Sequence, residues 1–307
     1  MIDDLPSIMV NTRDFLVCPT ITATPEVVKA AFVKEGNLFE KKGITFLNTF
    51  VNIGRPALFE RQMYLQFKNI LGLSKGEHAR AIQAGYAALN KFNKRMLSKA
   101  KETLKRLEKE NRIGIVLLSR PYHNDHGINH DIVIEFQKRG YPIFTSESLP
   151  IDDEIIDRLF GNEVRAGIIS HPMDISDVWK NSSSEISGRK LWAAKYAARH
   201  PNLVALEMSN FKCGHDAPTY TVIEEIVENS GTPYFSFKDL DENRPAGSIK
   251  IRVETISYFL KRHREDMIRM TEKRKLIIDE LADYEKELRG TLLIPALLTS
   301  HVPLEET

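Results

Sequence analysis

The run Ile113-Gly-Ile-Val-Leu-Leu-Ser119 carries no charge and does not alternate polar with apolar. Such a run reads as a strand buried on both faces, which a parallel sheet clothed in helices requires. Residues 202–208 and 233–237 have the same strand character, and residues 14–18, 44–48, 141–144 and 166–170 are shorter candidates. Helical stretches alternate with them. Thr24 is a good N-cap and Pro25 suits a first helical turn, so a helix is expected over 25–34. Others are expected over 57–71, to about 139, after Asp152, over 188–199 and over 220–229. The strand–helix rhythm predicts an α/β chain with Rossmann-like parallel-sheet units and long flanking helices.

Two stretches depart from that rhythm. Residues 75–112 hold eleven Lys/Arg against four Glu, with Ile82, Tyr86, Leu89, Asn93, Met96, Ala100, Thr103 and Leu107 along one helix face. Only two aromatic residues, Tyr86 and Phe92, fall among them to stack bases, so the basic excess reads as a solvated face. From Ser248, twelve positions between Ile249 and Leu288 alternate steps of four and three, and ten of them are apolar or Tyr. A seam this regular needs a long partner. The 82–107 helix, packed antiparallel with Ile256 and Leu281 buried, is the internal candidate. A coiled coil in a homo- or hetero-dimer is the alternative. The domain reading is a partial N-terminal α/β domain over 1–73, a helical connector over 74–111, a Rossmann-like domain over 112–247, a long helix over 248–290 and a tail over 291–307.

Composition narrows the function classes. With 43 basic and 42 acidic residues there is no charge excess to hold nucleic acid or an anionic membrane. No apolar run of about 18 residues exists to span a bilayer, and the first residues lack a basic signal-type segment. Two cysteines in 307 residues exclude a disulfide framework. A cytoplasmic location is the default expectation. The phosphate-binding glycine motifs, the nucleophile elbow and the zinc-protease motif are all missing from the sequence.

Three loops follow strand ends. Cys18 closes the 14–18 run, Arg120 follows the 113–119 run, and Cys213 lies a few residues past the 202–208 run. In open α/β sheets ligands bind beyond the carboxyl ends of strands, where helix N-termini also point. The three loops are therefore expected to share one crevice. Arg120 and His123 suit an anion or a partner there, with Asp125 and Asn129 as turn and cap residues. His123, His126 and His130 raise a zinc or iron alternative.

The segments Cys18-Pro-Thr-Ile-Thr-Ala-Thr-Pro25, Arg120-Pro-Tyr-His-Asn-Asp-His-Gly-Ile-Asn-His130 and Cys213-Gly-His-Asp-Ala217 resemble the C-terminal region of large acyl-CoA dehydratase activase-related proteins. Phe237-Lys-Asp-Leu-Asp-Glu-Asn243 and Ser248-Ile-Lys-Ile-Arg-Val-Glu254 carry the resemblance further. That region is similar to the D-component of 2-hydroxyacyl-CoA dehydratases. The resemblance implies a [4Fe–4S] cluster held by cysteines from separate loops, with Cys18 and Cys213 as metal ligands and Arg120, His123 and Asn129 lining the cleft. It implies electron transfer, acyl-CoA dehydration or membership of an ATP-dependent reductase system. Its partners would be an ATP-dependent activase or upstream activase domains, with acyl-CoA as the substrate class. The family's further cysteine lies upstream of the matched region, so the chain reads as a fragment or one part of a larger assembly. A non-catalytic interaction module of the same family, without the cluster, is the alternative.

Overall fold

The computed structural model describes residues 19–49, 51–52, 55–182, 184–209, 213–238, 240 and 246–290. The chain divides into two units, Met1–Glu254 and Thr255–Thr307. In chain order the elements are helices α1 (Pro19–Val33), α2 (Leu38–Lys41), α3 (Pro56–Phe67) and α4 (Lys75–Lys109), strand β1 (Gly114–Leu118), α5 (Ile132–Lys138), β2 (Ile143–Thr145), α6 (Asp153–Arg165), α7 (Glu185–Arg199), β3 (Leu203–Met208), α8 (Tyr220–Glu228), β4 (Tyr234–Phe237) and α9 (Ala246–Gly290). The fold is α/β with one four-stranded sheet among the described residues, in the order β2-β1-β3-β4. Every pairing is parallel, with Val116 opposite both Phe144 and Ala205, and Leu206 opposite Phe235.

β1 and β3 are buried along their whole length. Val116, Leu118, Leu203 and Ala205 point to one face, into a cluster with Leu104 and Leu107 of α4, Phe160 of α6 and Trp192 and Tyr196 of α7. The Phe160 and Trp192 rings stack with centroids 6.1 Å apart. Ile115, Leu117, Val204 and Leu206 alternate to the opposite face and are equally buried, as are Ile132 and Phe136 of α5 and Ile249 and Val253 at the start of α9. Cover on both faces explains why these strands read as unbroken apolar runs. Gly114 opens β1 because a Cβ there would lie 2.6 Å from Leu107 Cδ1 and 2.9 Å from Phe144 Cε2.

The long basic helix is α4. Ser74 and Glu77 close its N-terminus in a reciprocal capping box. Its N-terminal part meets α3, where His78 Nε2 lies 2.9 Å from the Glu60 carbonyl oxygen and Tyr86 touches Phe59 edge to face. Its C-terminal part supplies Ala100, Leu104 and Leu107 to the sheet cluster.

Two expected strands are corrected. Residues 44–48 are irregular and form no strand. Ile44 and Leu47 are exposed there, so this run finds neither a ladder nor a core. Residues 166–170 are a turn after α6, reversed at Gly167 with φ 68°; Ile169 packs into the core without joining the sheet. Within its own unit, Leu281 is 62 % exposed and Ile256 half-buried. The expected strand ending at Cys18 lies outside the described residues. Among those described, no helix is long and apolar enough to cross a membrane.

Candidate functional site

The sheet order reverses between β1 and β3. From β1 the chain moves to β2 on one side, then returns to add β3 and β4 on the other. The carboxyl ends of β1 and β3 thus lie side by side and their following loops diverge, which is where open α/β sheets bind ligands. The loop after β1 brings Arg120, Tyr122 and His123. The segment after β3 brings Ser209, Cys213 and Asp216, and the start of α7 brings Ser184, Ser187 and Lys190.

Arg120 is buried at this junction. Its Nε donates to Asp216 Oδ1 at 2.9 Å, Nη2 to Ser187 Oγ at 2.8 Å and Nη1 to Ser184 Oγ at 3.5 Å. Ser187 Oγ in turn donates to the His215 carbonyl at 3.1 Å. Asp216 also accepts from Ser209 Oγ at 3.2 Å and stands 3.5 Å from Lys190 Nζ. Lys190 Nζ is 2.7 Å from Glu207 Oε1 on β3, and Tyr234 donates to the other Glu207 oxygen. Two buried cations and two buried carboxylates therefore neutralise one another, as burial of charge demands. The guanidinium binds protein on all three nitrogens, so Arg120 ties the loops together.

His123 lies fully buried behind Arg120. Its Nδ1 accepts the Arg120 backbone N–H at 3.2 Å, so the neutral ring carries its proton on Nε2. Nε2 is buried with no protein partner among the described residues. Burial is the main reason its pKa falls to about 4; Asp216 pulls it back, and Lys190 and Arg120 push it further down. Asn129 donates from Nδ2 to the His123 carbonyl at 2.9 Å, and its Oδ1 is likewise buried without a partner. Asp125 closes the loop by accepting from the Gly127 and Ile128 amides, as a turn residue should. Asn129 does not cap α5: Asp131 precedes it, and both His130 and Asp131 are left-handed.

Cys213 is half-buried at the lip of this cluster. Its carbonyl accepts the Asp216 and Ala217 amides at 3.0 and 3.2 Å. Tyr122 lies nearby, and burial, with Cys213 and Asp216 close to it, raises the phenol above its ordinary pKa. The structure thus brings Arg120, His123, Asn129 and Cys213 to one junction, while Cys18 lies outside the described residues. His126 is exposed and His130 half-buried, and no group of three or more His, Cys, Asp or Glu side chains among the described residues is arranged to hold a metal ion.

Sequence reasoning passed over Lys190 and Glu207 as members of the site. One signal was available for Glu207, a lone carboxylate inside a strand that had to be buried on both faces.

Comparison with curated proteins and with solved structures gave no match. Residues 5–149 match the family model described as the CoA enzyme activase uncharacterised domain. The matched stretch includes Cys18, Arg120, His123 and Asn129 and ends before Cys213 and Asp216. By this match residues 5–149 of the chain, through β2, are similar to that domain.

Proposed function

We propose that this chain is a D-component-like module of the 2-hydroxyacyl-CoA dehydratase/activase system, contributing cysteine ligands to a [4Fe–4S] cluster that a partner completes. The observation that supports this most is Cys213, half-buried beyond β3 at the order reversal and close to Tyr122 from the loop after β1. The donor set sets a limit. The chain has two cysteines in all, and a cubane takes about four thiolates. Its own residues therefore do not fit a complete cluster. When bound, such a group would supply one-electron transfer.

The chain's own residues have a definite role in this reading. Arg120, Asp216 and Ser187 hold the two strand-end loops together. His123 and Asn129 brace the first loop, and Tyr122 stands near Cys213. The natural partner is an ATP-dependent activase, with an acyl-CoA as the substrate of the assembled system.

Anaerobic reconstitution of the full chain with iron and sulfide tests the proposal, alone and with an activase-type partner. The chain alone should bind well under four irons, the partner should raise the content, and Cys213→Ser and Cys18→Ser should each abolish it. Undiminished iron in either variant, or none in any combination, would overturn the cluster reading. A second reading, a non-catalytic interaction module, is favoured by the shortage of cysteines. It expects the same partner to bind with no iron present.

A further inference from the structure

Within the second unit, the second half of α9 carries an exposed apolar stripe. Met270 is 69 % exposed, Ile277 46 %, Leu281 62 % and Tyr284 65 %. Residues 270, 277 and 284 share one heptad position and 274 and 281 the other seam position. Large apolar side chains aligned over four turns are a binding surface rather than scattered exposure.

Charge specifies what fits it. Residues 261–275 hold seven Lys/Arg and three Asp/Glu, whereas residues 276–290 hold two and five. A parallel pairing of two such helices would set basic half against basic half and acidic against acidic. An antiparallel pairing sets each basic half against an acidic one.

We propose that two copies of this chain associate through an antiparallel coiled coil of residues 261–290 that crosses between Lys275 and Leu276. In this register Met270 meets Leu281 of the second copy, and Ile277 meets Arg274 of the second copy. At the flank, Lys273 faces Glu280 of the second copy, and the symmetry makes this ion pair twice. Arg274 lays its methylene stem along the seam and keeps its charge at the edge. A polar residue at a seam position penalises shifted registers.

Sedimentation equilibrium of the full chain at low and high salt is the test. A dimer that weakens with salt is expected. Lys273→Glu and Glu280→Lys should each raise the dimer Kd about tenfold or more, and the double variant should return it to within about threefold of wild type. A monomer, a trimer, or a double variant no better than the singles overturns the proposal. Orientation is read by disulfide formation in a Cys18→Ser/Cys213→Ser background whose helicity is unchanged. The two Leu281 sites are about 16 Å apart along an antiparallel pair, so Leu281→Cys alone should not cross-link and Met270→Cys/Leu281→Cys should. Cross-linking through Leu281→Cys alone would show a parallel pair and overturn it.

Discussion

Arg120 Nε stands 2.9 Å from Asp216 Oδ1, with both side chains buried. The pair joins the loop after β1 to the segment after β3 across the reversal of strand order. It does so from positions 96 residues apart in the chain. Everything at this junction depends on it: Ser187 and Ser184 lean on the same guanidinium, and Lys190 and Ser209 on the same carboxylate.

Removing the guanidinium should therefore be costly. Arg120→Ala leaves a buried Asp216 short of its main counter-charge, and a loss of about 3–5 kcal/mol is expected. Urea unfolding followed by the fluorescence of the buried Trp192 measures it. A loss under about 1 kcal/mol would show that the pair does not hold the loops.

His123 should make stability fall on the acid side. Its pKa is about 4 in the fold against an ordinary 6.5, so the unfolded chain takes up the proton first. The contribution is full above about pH 6.5 and is lost as pH falls through about 4, amounting to about 3 kcal/mol by then. His200 is also held down to about 4, mainly by burial, with Glu108 opposing, and adds a similar slope. His123→Phe should remove roughly half of the histidine-dependent slope. In NMR titration the His123 ring should show no protonation between pH 5.5 and 8, roughly as such a shifted pKa requires.

Lys190 and Glu207 should behave as one unit. Lys190→Met strands Glu207 beside Tyr234 and a distant Lys238 at 3.9 Å, and should cost about 3–5 kcal/mol. The double variant Lys190→Met/Glu207→Met removes both charges and should recover to within about 1–2 kcal/mol of wild type. Additive losses in the double-mutant cycle would show that the two charges do not interact.

Gly114→Ala should cost about 1–3 kcal/mol, because the new methyl runs into Leu107 and Phe144. Leu107→Ala alone opens a cavity and should cost about 2–5 kcal/mol. Combined, the two should lose less than their sum, since one substitution makes the space the other fills. Denaturant midpoints of the three variants decide this.

The amino-acid sequence by itself determined the α/β class, the two central strands, and the long helices α4 and α9. Those features are local. An unbroken apolar run such as 114–118, or a heptad-like stripe such as 270–284, declares its periodicity wherever it is placed. It also brought Arg120, His123 and Cys213 to one end of the sheet, because parallel strands share a carboxyl edge. Tertiary structure alone decided which apolar runs entered the ladder. Residues 166–170 and 202–208 look alike in composition, but only β3 lies between two strands that accept its hydrogen bonds, while Ile169 finds burial beside α6 as part of a turn. It alone decided the fate of Arg120 as well. Whether a guanidinium is a free anion fork or a structural tie depends on the carboxylates that long-range folding brings to it, and Asp216, near in space and far in sequence, took that place.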